Sequence, residues 1–130
     1  MKTNIAVFFG CRSVEHEVSI ISAVQAMNSI DKTKYEVIPV YVSKESEMFS
    51  SPQLFDIDNY KQDLKKLTEK CDKVTFVRSK NKVFMKTLSS GLFKKPKEIP
   101  VDLAFPIVHG TNCEDGTMAG YFEFLDIPYI

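Results

Sequence analysis

The sequence predicts a small doubly wound α/β domain, a mainly parallel sheet with helices packed on both faces. Three observations carry that expectation. A short, nearly continuous apolar run from Asn4 to Phe9 ends at Gly10, as suits a strand buried on both faces. Ile20, Ala23, Val24, Met27 and Ile30 then recur at helical spacing and make one apolar stripe. Tyr35 to Val42, rich in β-branched residues, reads as a second strand. The opening is therefore strand, tight Gly turn, helix, strand: a βαβ unit, expected to be right-handed.

The other elements follow in order. Gly10-Cys11-Arg12-Ser13 joins the first strand to the helix, with Ser13 a plausible N-cap. Asp58 to Lys70 carries Leu64 and Leu67 amid charges, the pattern of a short, exposed helix. Val74 to Val77 and Lys82 to Lys86 read as two strands joined through Ser79-Lys80-Asn81, an antiparallel appendage. Val101 to Val108 is a second apolar run, leading into His109-Gly110. Met118, Tyr121, Phe122 and Leu125 repeat at i, i+3, i+4 and i+7, so a helix is expected to pack back onto the sheet. Ile127-Pro128-Tyr129-Ile130 reads as the start of a further strand. The chain stops inside it, as a piece of a longer protein would.

Bulk composition narrows the function classes. The 130 residues suit one domain, and 44% apolar with 26% charged residues is ordinary for a globular protein. Seventeen basic and seventeen acidic residues cancel, leaving no net field to gather phosphates along a nucleic acid. Lys94, Lys95 and Lys97 form the one sizeable basic cluster and read as a solvated loop ahead of a strand. The three cysteines are widely spaced, without a CxxC pair or a Cys/His set for zinc. The amino terminus lacks the features of a signal peptide, and no apolar stretch is long enough to span a bilayer. A cytoplasmic protein with reduced thiols, free of nucleic acid and membrane, is expected.

In open α/β sheets ligands gather beyond the carboxyl ends of the strands, and two loops of this chain leave strands there. The first runs Gly10-Cys11-Arg12-Ser13-Val14-Glu15-His16-Glu17-Val18-Ser19. A helix N-terminus is a ready anion site, yet Glu15 and Glu17 already bring negative charge. That favours a bound ammonium over a phosphate. Taken alone, Glu15 is equally suited to complement only the dipole of the first helical turn, and Glu17 suits that role better than a ligand's. The glycines match neither a dinucleotide fingerprint nor a P-loop. The second loop is His109-Gly110-Thr111-Asn112-Cys113-Glu114-Asp115-Gly116. His109 there could donate to a substrate carboxylate, orient an acid, or merely tie down a backbone carbonyl. Asp115 could cap the next helix. Cys113 lies near a helix start that would favour a thiolate, but Glu114 and Asp115 oppose it, so a nucleophilic role is disfavoured.

Together the two loops are specific. Gly10 through Ser22, with its core Arg-Ser-Val-Glu-His-Glu-Val-Ser, resembles the amino-terminal signature of the D-alanine–D-alanine ligase family. Val108-His109-Gly110 through Glu114-Asp115-Gly116-Thr117 to Gly120, then Ile127-Pro128-Tyr129, resembles the family's second signature. The likeness spans essentially the whole chain, although residues 44–97 agree only in length and style. It implies a Rossmann-like domain of the kind that precedes an ATP-grasp region. It implies a parent enzyme that joins two D-alanines for peptidoglycan precursor synthesis, using ATP and Mg2+, through an acyl-phosphate of the first. By the same resemblance Glu15 anchors the ammonium of the first D-alanine, with Ser19 in the surrounding network. His109 lines that subsite with Gly110, which makes Glu15 and His109 the catalytic-site residues. Gly10, Ser13, Asp115 and Gly116 shape the loops. No metal ligand is implied on this chain.

Three positions depart from the pattern: Cys11 and Cys113 stand where glycines are usual, and Ala119 where glutamine is. They leave a D-alanine–D-serine or D-alanine–D-lactate ligase open. The resemblance also implies that ATP, Mg2+ and the second substrate belong to ATP-grasp and carboxy-terminal domains absent from residues 1–130. The chain alone is therefore expected to bind none of them and to be inactive. Homodimers are usual in the family. A stand-alone D-amino-acid-binding module, or a dimerisation or regulatory module, is the alternative.

Overall fold

The structure is a computed structural model that describes residues 2–10, 16–88, 97–107 and 117–130, the side chains of 16–19 and 117 excepted. Among the described residues seven strands form one sheet. In chain order they are β1 (Thr3–Gly10), β2 (Tyr35–Val42), β3 (Met48–Ser50), β4 (Asp72–Ser79), β5 (Lys82–Thr87), β6 (Glu98–Val101) and β7 (Leu103–Ile107). Across the sheet the order is β6-β5-β4-β3-β2-β1-β7. The helices are α1 (His16–Ser29), α2 (Leu64–Glu69) and α3 (Thr117–Leu125), with two 3-10 turns, Pro52–Phe55 and Ile57–Lys61.

The expected βαβ unit is β1-α1-β2, with β1 and β2 parallel. β1 is buried on both faces, as its apolar run requires. Ala6 and Phe8 enter one core with Met118, Phe122 and Leu125 of α3. Ile5, Val7 and Phe9 enter the other with Ile20, Ala23, Val24 and Met27 of α1. This two-sided cover is the doubly wound arrangement the sequence predicts. Phe8 centres the α3-side core, its ring centroid 5.0 Å from that of Phe76 and 4.9 Å from that of Phe122.

The parallel part of the sheet is narrower than expected. Only β2-β1-β7 is parallel, and β3 to β6 extend it through antiparallel pairs. The sheet is thus mixed. The β4–β5 hairpin is not an appendage: β3 ties it to β2, and Val74, Phe76, Val83 and Met85 fill the α3-side core. Its turn residues Lys80 and Asn81 both take positive φ (54° and 66°), the twist-matched geometry of a two-residue hairpin. Asp58 to Lys70 is not one exposed helix either. It divides into the second 3-10 turn and α2, which Asp63 caps by accepting the Lys65 N–H, and Leu67 is completely buried.

The apolar run from Val101 is broken at Asp102. Residues two apart in a regular strand share a face, yet Val101 joins the α3-side core and Leu103 the α1-side core. β6 pairs with β5 at one edge of the sheet and β7 with β1 at the other, one residue apart in the chain. The sheet must curl to bring those edges together. Beyond β7, Tyr129 forms a parallel bridge with Ala104, the start of the further strand expected there. Arg78 of β4 donates to the carbonyls of Leu125 and Asp126 (3.3 and 3.1 Å), satisfying the end of α3.

Candidate functional site

Strand register decides what lies beside what at the carboxyl edge. Phe9 of β1 is opposite Ile107 of β7, and Gly10 is opposite Val42 of β2. Adjacent strands lie about 4.8 Å apart, so the chain leaves the sheet at three neighbouring points on one edge. Gly10 has φ 93°, a conformation that a side chain with a Cβ rarely adopts. From it the chain reaches α1, which begins at His16 on one face of the sheet. From Ile107 it reaches α3, which begins at Thr117 on the opposite face. Two helix N-termini therefore flank this edge, the location where open α/β sheets place ligands.

Ser13, Glu15 and Cys11 lie outside the described residues, as do His109, Gly110, Cys113, Asp115 and Gly116. Ser19 falls in the first turns of α1, and only its backbone is described. The structure thus gives the points from which both predicted loops depart and return. Phe9 and Ile107 are cross-strand neighbours, 98 positions apart in the chain, so the two loops depart from adjacent points. Among the described residues no group of three or more His, Cys, Asp or Glu side chains is arranged to hold a metal ion. No helix among them is long and apolar enough to cross a membrane.

A third segment at this edge escaped the sequence reading. After β2, Ser43 to Glu47 forms a tight turn: Ser46 has φ 66°, and Ser43 Oγ accepts the Glu47 N–H at 3.1 Å. Between this turn and α2 runs an open groove of about 570 Å³, with Tyr41, Phe49 and Leu64 among its apolar lining. Its rim mixes both charges (Lys44, Lys65, Glu45, Asp63), and Glu47 is ion-paired with Lys73. No motif in the sequence marks these residues, because the groove is made by two segments about twenty positions apart.

Cys71, half-buried, follows α2 and donates to the Leu67 carbonyl at 3.3 Å. Burial pushes its thiol up to about 11, against a smaller opposing effect of a hydrogen bond with Ser51. It is therefore a poor nucleophile at neutral pH. The raised value favours the protonated folded state. Its contribution to stability is complete below pH 9, the ordinary thiol value, and is lost as pH rises from there through about 11. The stability difference between the wild type and Cys71→Ser, from urea unfolding, is expected to change only within that window. A difference constant from pH 8 to 11 would show that the thiol titrates normally.

Comparisons with known proteins cover this whole arrangement. A family profile described as the D-ala D-ala ligase N-terminus matches residues 4–130. A D-alanine–D-alanine ligase of Thermosipho melanesiensis is 46% identical over 126 residues, 97% of this chain and 33% of that protein. Among solved structures, the D-alanine–D-alanine ligase of Coxiella burnetii superposes with a TM-score of 0.77 at 28% identity. That match covers 99% of this chain and 35% of the other. A D-Ala:D-Ser ligase of Enterococcus faecalis gives a TM-score of 0.67 at 30% identity, over 100% of this chain and 36% of the other. The chain thus spans about a third of the length of the relatives it matches.

Proposed function

The chain belongs to the D-alanine–D-alanine ligase family, matching its amino-terminal domain, and on that premise we propose that it forms the wall of the subsite for the first D-alanine. The observation that carries the proposal is the Phe9–Ile107 register, which starts both signature loops from adjacent parallel strands. Glu15 holds the substrate ammonium by charge-assisted hydrogen bonds, with Ser19 completing the network. His109 and Gly110 line the same subsite and present N–H donors to the substrate carboxylate. Gly10, Ser13, Asp115 and Gly116 set the loop shapes.

In this reading the chain is one part of a cytoplasmic ligase that makes a peptidoglycan precursor. ATP and Mg2+ are assigned to ATP-grasp and carboxy-terminal domains of the parent enzyme. The contribution of residues 1–130 is to bind and orient the first amino acid, and the parent pairs as a homodimer. D-Serine as second substrate is the other reading, favoured by the similarity to the Enterococcus faecalis enzyme.

Titration of the 15N-labelled chain with D-alanine, followed by NMR, tests the proposal. Saturable shifts are expected around Gly10, Ile107 and the first turn of α1, with a Kd on the order of millimolar. L-Alanine is expected to leave them unmoved. Equal response to both enantiomers, or no saturation, would refute the subsite. Incubated with D-alanine, ATP and Mg2+, the purified chain is expected to yield no dipeptide. Detectable D-alanyl–D-alanine would overturn the division of labour.

A further inference from the structure

The subsite needs β1 and β7 in one relative register, and the side chains of β7 do not specify it alone. Leu103, Phe105 and Ile107 all pack against the α1-side core, and Ala104 enters the α3-side core. A slip of one residue would exchange these faces and is opposed by packing. A slip of two replaces one large apolar residue by another on the first face, and Ala104 by Pro106 on the second. Packing therefore discriminates weakly against it. Yet it would carry the end of β7 about 6.6 Å along β1, at roughly 3.3 Å per residue, and the two loops would no longer depart from adjacent points.

At the amino end of β1 three hydrogen bonds distinguish these registers. The Asn4 backbone N–H donates to Asp102 Oδ2 at 2.8 Å. The Asp102 N–H donates to the Asn4 carbonyl at 2.9 Å. The Asn4 side-chain amide donates to the Pro100 carbonyl at 2.7 Å. Asp102 is the residue between β6 and β7, so these bonds fall where the two edges of the curled sheet meet. The bonds of Ala104 with Pro128 and Ile130 tie the carboxy-terminal segment to β7 and support the same register from its other side. Neither Asn4 nor Asp102 lies near the carboxyl edge.

We infer that Asn4 and Asp102 are positioning residues for the D-alanine subsite: they pin β7 against β1 at the end of the sheet opposite the loops. The inference rests on the reading of Glu15 and His109 given above. A carboxylate is suited to this position because its oxygen accepts the Asn4 N–H where the strand bends away and ceases to supply a ladder carbonyl.

The test uses the full chain with two readouts, nuclear Overhauser contacts between Phe9 and Ile107 and the D-alanine titration. Asp102→Leu keeps the branched shape and removes the acceptor; Asp102→Asn keeps an acceptor oxygen. In Asp102→Leu the Phe9–Ile107 contacts are expected to weaken in favour of Phe9–Phe105, with D-alanine binding reduced roughly ten-fold or more. Asp102→Asn is expected to restore both readouts to within about two-fold of wild type. Wild-type contacts and affinity in Asp102→Leu would overturn the inference. If Asp102→Leu does not fold, Asn4→Ala, which deletes only the bond to Pro100, decides by the same two readouts. A smaller loss in the same direction supports the pin, and no change overturns it. Absence of D-alanine binding by the wild type would instead defeat the subsite reading, while the Phe9–Ile107 contacts would still decide the register.

Discussion

Replacing Phe8 by alanine is expected to destabilise the domain by about 3–5 kcal/mol, the usual cost of emptying a fully buried phenylalanine site. Phe8 is 1% exposed and lies between the rings of Phe76 and Phe122. Its removal separates three elements at once: β1, the β4–β5 hairpin and α3. Those neighbours belong to a curled sheet whose two edges are joined through Asp102, so they have little freedom to close over the cavity. Against a total stability of about 5–15 kcal/mol for a domain, such a loss shifts the thermal midpoint by roughly 10–20 °C. Circular dichroism on heating measures it. A shift of only one or two degrees would mean that the ring is not at the centre of a packed core. Phe8→Leu, which leaves most of the volume filled, should recover much of the loss.

Glu15→Gln is expected to have the largest effect on binding. If the carboxylate holds the substrate ammonium, the neutral amide loses a charge-assisted bond worth about 1.5–3 kcal/mol. That corresponds to roughly a ten- to hundred-fold weakening of D-alanine binding. Because affinity starts near the millimolar range, the practical readout is loss of saturation in the NMR titration. The thermal midpoint of the variant should stay within a degree or two of wild type, since the amide keeps the size and shape of the carboxylate and most substitutions of that kind have small effects. Retained affinity would remove Glu15 from the subsite. A parallel fall in stability would instead assign it to the dipole of α1.

The elements that the sequence revealed are those with a strong local period. β1, α1 and β2 lie almost where the apolar runs and the 3.6-residue stripe put them, and Met118, Phe122 and Leu125 do bury one face of α3. Leu67 misled because a six-residue helix carries too few apolar positions to display a face. Its complete burial comes from joining the α1-side core, which no local pattern announces. Asp102 is inconspicuous within an apolar run, since one polar residue does not interrupt hydrophobicity even where it turns the strand over. The β4–β5 hairpin was recognised as a hairpin and misplaced in the sheet, because its partner β3 has only three residues.

For the candidate site, the sequence by itself determined residue types and spacing: a glycine turn and acids before one helix, a histidine–glycine loop before another, and the family they mark. Local chemistry and periodicity suffice for that. Only the tertiary structure decided that the strands bearing those loops are neighbours in the register Phe9 opposite Ile107. It alone placed Asn4 against Asp102 and Pro100, where the two edges of the mixed sheet meet. Pairing across 98 residues is a matter of long-range hydrogen bonding and two-sided burial. The alternation along β7 reads the same after a slip of two, so no stretch of the sequence specifies that pairing alone.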